Sequence, residues 1–477
     1  MTDYSTLALF IDGRFVSADT RTTEPVFNPA TARPIADLPH ATDADLDEAV
    51  AAAARAFPAW AATTAVERSA ILRRAAALIR ERIEAIAVVM TLEQGKPLAE
   101  SRGEIAYAAD VIDWYAEEGR RTYGRVVPSR VPGVVMTVTH EPVGPAAAFT
   151  PWNFPALTPC RKIGGALAAG CTLVLKAAEE VPGTAVEIAR AFADAGLPAG
   201  VLNLVFGDPA TVSARLIAAS EIRKVSFTGS TAIGKSLMRL CADDLKRTTM
   251  ELGGHGPVIV FDDVDVEAVA ETAAIAKYRN AGQVCISPTR FFVQAAVHDR
   301  FAARFTEVAR SLKVGDGLGA GVQMGPLANP RRIAAMEALV QDARDRGGRI
   351  ETGGERHGNE GWFYAPTVIT GLDDAALVMC EEPFGPVAPI VPFDDFDEVV
   401  GRANSLPYGL AAYAFSSSAR RVADIGAALK AGMVGINTLA VSNPETPFGG
   451  VRDSGHGSEG GAEGLLAYLD VKLTASA

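Results

Sequence analysis

Two α/β sections, each built on a doubly wound parallel sheet, are predicted for this chain by three observations. Short β-rich runs alternate with helical runs from about residue 134, and the alternation restarts at residue 258 after a Gly-Gly step. At about 100–200 residues per domain, 477 residues correspond to two or three domains rather than one. Strand and helix alternating at this interval imply βαβ units, whose strands run parallel.

The chain opens with apolar residues 7–11, then Asp12-Gly13, then residues 14–16, a β-hairpin signal because Asp-Gly readily takes a tight turn. Helices are expected over 43–57, stopped by Pro58, and over 65–94 and 98–115, where apolar residues recur every three or four positions. Strands follow at 134–139, 146–149, 173–176, 202–206 and 225–228, with helices near 156–169, 183–195, 210–219 and 231–241. The second section has a strand at 258–261 and helices near 265–280, 297–312, 331–347, 396–405 and 418–430. Glu251-Leu252-Gly253-Gly254 marks the boundary, since two glycines permit a sharp change of direction. The tail is glycine-rich over 449–464 and reads as an extended arm over 465–473.

Composition excludes several functions. A net charge of −12 without clustered Lys and Arg argues against nucleic acid as a partner. Five scattered cysteines without CxxC spacing indicate a reducing compartment rather than a disulfide framework. HExxH is absent and the six histidines are dispersed, so no metal is expected. The first fifteen residues lack a basic-then-apolar leader, and no apolar run has membrane-spanning length, so the cytoplasm is the expected location.

Five stretches carry chemistry. In Asn280 to Arg290 a single cysteine, Cys285, sits on a turn opened by Gly282 and closed by Pro288, a setting for a nucleophilic thiolate. A lone cysteine is more often a packed core residue, so the assignment depends on the remaining parts. Thr150-Pro151-Trp152-Asn153-Phe154-Pro155 follows a strand, and its two prolines hold Asn153 as an oxyanion donor requires; a helix N-cap is the plainer role. Lys176 and Glu179 project from a strand end where nucleotides bind in open α/β folds, and a carboxylate there can accept both ribose hydroxyls. Glu251, flanked by apolar residues, suits a general base if partly desolvated, and taken alone suits a salt-bridged boundary residue equally. Gly229 to Ser236 also satisfies the G-x-x-x-x-G-K-S pattern of an NTP-hydrolysing P-loop, which keeps an enzyme of another class in play.

Taken together, TPWNFP (150–155), KAAEE (176–180), FTGST with Gly234 (227–234), ELGG (251–254), GQVC (282–285), EEPFGP (381–386) and PFGG (447–450) resemble, in order and spacing, the aldehyde dehydrogenase superfamily over nearly the whole chain. The resemblance implies a dinucleotide-binding domain (1–121 and 144–253), a catalytic domain (254–440) and a small β oligomerisation element (122–143 and 441–477) serving a homodimer or homotetramer. It implies Cys285 as nucleophile, Glu251 as deacylation base, Asn153 in the oxyanion hole and Lys162 beside them. It implies NAD, with NADP possible, held by Thr150, Pro151, Trp152, Lys176, Glu179, Gly207, Gly229, Ser230, Gly234, Leu252, Glu382 and Phe384. His255 and Ala177 replace a lysine and a proline usual in the family, and Ser287 stands where some members have a second cysteine. Resemblance to semialdehyde dehydrogenases implies that Arg161, Arg279 and Ser442 grip a distal carboxylate. Succinate semialdehyde is then the first expected substrate, with 2-oxoglutarate semialdehyde or a plain aliphatic or aromatic aldehyde as alternatives.

Overall fold

The computed structural model describes residues 4–477. Strands Leu9–Ile11 and Arg14–Val16 pair antiparallel around Asp12 and Gly13, both at positive φ, as an Asp-Gly turn requires. They edge an eight-stranded sheet whose centre is parallel: Arg247–Glu251, Lys224–Thr228, Ala146–Phe149, Leu173–Lys176 and Leu202–Val205, in that spatial order. The strand at Ala146–Phe149 lies between Lys224–Thr228 and Leu173–Lys176. Strand order reverses there, which opens a crevice at the carboxyl ends of those strands. Both Thr150-Pro151 and Gly229-Ser230 leave the sheet at that crevice.

After Glu251 the chain enters a seven-stranded sheet, parallel except at its Arg349–Thr352 edge, with Gly256–Val260 beside Pro288–Gln294. Each sheet has its own buried cluster, around Leu173–Lys176 in the first and Phe291–Val293 in the second. Glu251 ends a strand of the first sheet, while Cys285 precedes a strand of the second, so the carboxyl edge of one faces the amino edge of the other. The sequence-derived helices fall within a few residues of those observed at Leu157–Ala169, Pro182–Asp194, Thr231–Ala242, Val266–Tyr278 and Pro330–Asp345.

Several local expectations are corrected. The first helix runs Asp43–Ala62 straight through Pro58. An interior proline costs about 3 kcal/mol, and full burial of a large apolar side chain, here Trp60, is worth about 1.5–3 kcal/mol. The run at 65–94 is two helices, Ala65–Glu81 and Ile83–Gln94, broken at Arg82, where ψ is 11°. The strand expected at 134–139 does not join the parallel sheet: Val135–Pro142 pairs antiparallel with Arg125–Pro128 and with Leu469–Ser476 in a separate three-stranded sheet. The tail is an arm only over Leu469–Ser476, since Gly461–Leu466 is helical. The hairpin Thr23–Asn28 with Arg33–Pro39 and the strand Arg247–Glu251 went unread. Among the described residues, no helix is long and apolar enough to cross a membrane.

Candidate active site

A cavity of about 1130 Å³ opens where the two sheets face each other. Its wall brings together Pro151, Trp152, Asn153, Arg161, Gly229, Ser230, Glu251, Leu252, Arg279, Cys285, Glu382, Phe384 and Ser442. These residues span almost three hundred positions of sequence. Thr150, Lys162, Lys176, Glu179, Gly207 and Gly234 do not line it.

The cysteine turn is an unusual backbone. After the helix Val266–Tyr278, three successive residues take left-handed φ: Asn280 at 48°, Ala281 at 52° and Gly282 at 73°. A Cβ on Gly282 would stand 2.2 Å from the Gly385 carbonyl oxygen, so only glycine fits. The turn delivers a half-buried Cys285 to the cavity. Burial pushes its thiol up to about 12; the Glu382 and Glu251 carboxyls add to this, while Arg161 and the Ile286 N–H oppose it.

Glu251 is 2 % exposed, and neither carboxyl oxygen has a hydrogen-bond partner. Burial and the nearby Glu459 carboxyl hold its proton affinity well above the ordinary range, against the pull of Lys162 and Arg161. Lys162 stands one step behind the wall: its buried ammonium donates to Ser226 Oγ at 3.0 Å and pairs with Glu459. It therefore acts on Glu251 by charge, with Glu459 as its counterion, without lining the cavity itself. Glu459, which does line the cavity, escaped sequence reading because it lies in a glycine-rich tail.

Asn153 donates from Nδ2 to the Gln283 carbonyl at 3.1 Å, two residues before the cysteine. Lys96 Nζ donates to the Asn153 carbonyl at 2.8 Å and pairs with Glu104, whose other oxygen accepts the Ala156 and Leu157 N–H groups at the entry of the next helix. Lys96 and Glu104, both buried, were also missed; nothing within their own stretch signals a partner more than fifty positions away.

The crevice at the sheet's switch point fits a dinucleotide. Gly229 and Ser230 precede the helix Thr231–Ala242, and the Ser230 side chain makes no capping bond, which leaves first-turn N–H groups for a pyrophosphate. The Thr150 and Thr228 hydroxyls are buried without partners beside it. At Gly234 a Cβ would stand 2.3 Å from Leu252 Cδ2, so that side chain would have to move. Glu382 accepts from the Gly254 N–H at 3.2 Å, and burial raises its carboxyl to about 7. Phe384 packs edge-on to Trp152 with centroids 5.5 Å apart. Lys176 and Glu179 pair with each other at the edge of the sheet, outside the cavity, and Gly207 lies at the next strand end. The P-loop reading fails on Lys235, which points away to Asp453 at 2.7 Å and does not line the cavity. His255 is buried and structural, bonded to Thr289 Oγ1 at 2.7 Å and to the Val378 carbonyl at 3.1 Å; burial keeps it neutral.

At the far end, Arg161 is only 5 % exposed and donates to Ser442 Oγ at 2.8 Å, with Tyr107 hydroxyl 3.1 Å from the same oxygen. Its guanidinium lies 4.0 Å from the Phe448 ring centroid. Arg279 lies 5.7 Å from that of Phe154. Among the described residues neither arginine has a carboxylate partner within 4 Å, although both line the same cavity.

Residues 15–474 match the model of the aldehyde dehydrogenase family. The chain is 48% identical to 4-(hydroxymethyl)benzenesulfonate dehydrogenase of Comamonas testosteroni, covering 94% of this chain and 93% of the relative. It is 45% identical to the succinate-semialdehyde dehydrogenase (NADP+) of Escherichia coli, covering 97% and 96%. The crystal structure of a succinate-semialdehyde dehydrogenase from Burkholderia pseudomallei superposes with a TM-score of 0.97 at 44% identity, over 99% of this chain and 98% of that one.

Proposed function

The chain belongs to the aldehyde dehydrogenase family, and from that premise we propose that it oxidises a semialdehyde with a carboxylate at its far end, succinate semialdehyde first, to the dicarboxylic acid with NAD or NADP. The observation that supports this is Arg161, a buried cation that meets a hydroxyl but, among the described residues, no carboxylate within 4 Å, in the same cavity as Cys285. An unpaired buried guanidinium is costly, and a substrate anion supplies the missing charge.

In the proposed mechanism Cys285 gives its thiol proton to solvent and adds as the thiolate to the aldehyde carbon, while Asn153 Nδ2 and the Cys285 N–H hold the resulting oxyanion. When bound, the oxidised nicotinamide supplies the hydride acceptor. Gly229, Ser230 and the Thr231–Ala242 helix terminus would hold its pyrophosphate, and Glu382, Lys176 and Glu179 would hold its ribose hydroxyls. Glu179 favours NAD by pairing with its ribose hydroxyls. The thioester left on Cys285 is hydrolysed by water that Glu251 deprotonates, and the unpartnered carboxyl oxygens are free to bind that water.

Residues 1–121 with 144–253 are assigned to cofactor binding, 254–440 to catalysis, and 122–143 with 441–477 to assembly. The three-stranded sheet exposes Val126, Val471 and Leu473, which supports a homodimer or homotetramer. Five free cysteines support a reducing, cytoplasmic location.

The test is a pair of substrates. Arg161→Ala and Arg279→Ala should each cost about 2–5 kcal/mol with succinate semialdehyde, roughly 30- to several-thousand-fold in kcat/KM, and far less with butanal. Equal losses on both would make the arginines structural. A second reading rests on the aromatic walls Phe154 and Phe448 and on the benzenesulfonate relative: an aromatic aldehyde with a distal sulfonate. Higher kcat/KM for 4-formylbenzenesulfonate than for succinate semialdehyde would select it.

A further inference from the structure

We propose that Asn280 is a positioning residue that sets the oxyanion hole by tying the Cys285 turn to the Asn153 loop through one side-chain amide. This rests on the roles proposed above for Cys285 and Asn153. Asn280 is 2 % exposed, and its Nδ2 donates to the Asn153 carbonyl at 3.0 Å and to the Gln283 carbonyl at 3.3 Å. A single amide thus spans the two backbone segments from which the oxyanion donors project. Its orientation is dictated from behind. Gln94 Oε1 accepts the Lys96 N–H at 3.0 Å, which leaves Gln94 Nε2 to donate to Asn280 Oδ1 at 2.9 Å. The Asn280 N–H is held by Glu100 Oε2 at 2.9 Å. Gln283 completes the clamp, with Nε2 donating to the Asn280 carbonyl at 3.0 Å and Oε1 accepting the Ala328 N–H at 2.9 Å.

The backbone explains why such restraint is needed. A left-handed conformation costs a residue with a Cβ about 1–2 kcal/mol, and asparagine tolerates it best. Here Asn280 and Ala281 both adopt it just before the nucleophile. Freed from the clamp, this turn would relax and carry the Cys285 N–H away from Asn153. Oxyanion donors work at about 2.7–3.1 Å from the developing charge, so a shift of a few tenths of an ångström matters.

Asn280→Gly separates the amide from the strain, because glycine takes this φ freely. We expect kcat to fall about tenfold or more, since misplacement by about 1 Å can cost on the order of 10²-fold. Cofactor Kd, read by quenching of tryptophan fluorescence, should stay within about twofold, the spread expected for an unaltered site. Asn280→Asp, which turns an acceptor toward two carbonyls, should lose at least as much. Both losses should shrink in an Asn153→Ala background, because one of the two donors acted through is gone. Wild-type kcat in Asn280→Gly and Asn280→Asp, or losses that multiply with Asn153→Ala, would overturn the inference. Should Asn280→Gly not fold, Asn280→Asp and Gln94→Met, which unpins the amide, face the same criterion. Wild-type kcat in Asn153→Ala itself would overturn the oxyanion assignment along with it, whereas a slow Asn153→Ala with multiplying losses defeats Asn280 alone.

Discussion

Around Asn153 the polar groups are paired: Lys96, Asn280 and Gln283 each meet it directly, and Gln94, Glu100 and Glu104 hold those partners from behind. In the same cavity Glu251 has two buried oxygens and no partner, and the Cys285 thiol is pushed up to about 12. The groups proposed to stabilise charge are fixed before any charge appears, so they need not reorganise during the reaction. The groups proposed to react are kept where burial opposes their ionisation, which raises their basicity toward a substrate or a water. One wall is satisfied and the other is not.

Breaking the unsatisfied wall should have the largest effect. Cys285→Ala should abolish nicotinamide reduction with every aldehyde while cofactor titration and circular dichroism stay as in wild type. Residual turnover would mean that the chemistry does not pass through the thiol. On the satisfied wall, Asn153→Ala should lower kcat by about 10²–10³, or roughly 2.7–4 kcal/mol, with little change in cofactor affinity. A loss confined to KM would place Asn153 in substrate binding instead.

The smallest effect sharpens the contrast through stability. Glu251 holds its proton more tightly folded than unfolded, where a glutamate titrates near 4.3. Between those two values the folded protein keeps a proton that the unfolded chain has lost, so wild-type stability falls as pH rises through that window and stays lower above it. Glu251→Gln does not titrate. It should be more stable than wild type at pH 8 by at least about 1 kcal/mol, the worth of roughly a tenfold change in proton affinity, with the gap closing toward pH 4. Denaturant melts at both pH values would show it; an equal gap at the two would mean that Glu251 is not held protonated by its surroundings.

Legibility in the sequence follows the range over which each feature is decided. Asp12-Gly13, the prolines around Asn153, Gly282 before Cys285 and the alternation of strand and helix are local, because backbone sterics and side-chain periodicity act over a few residues. These determined the α/β architecture and marked the stretches that line the cavity. Where local preference met packing, the helix bounds moved: Pro58 stays inside a helix that buries Leu46, Ala49, Val50 and Trp60 along one face, and the run at 65–94 breaks at Arg82. Partnerships lay beyond local reach. Lys162 meets Glu459 across 297 positions, and Gln94 meets Asn280 across 186. Such pairs exist only because the folded cores bring distant segments together, within the first sheet's unit for Lys162 and between the two units for Gln94. A buried ammonium or amide must then take whichever acceptor that packing supplies, since leaving it unpaired costs about 1–3 kcal/mol or more.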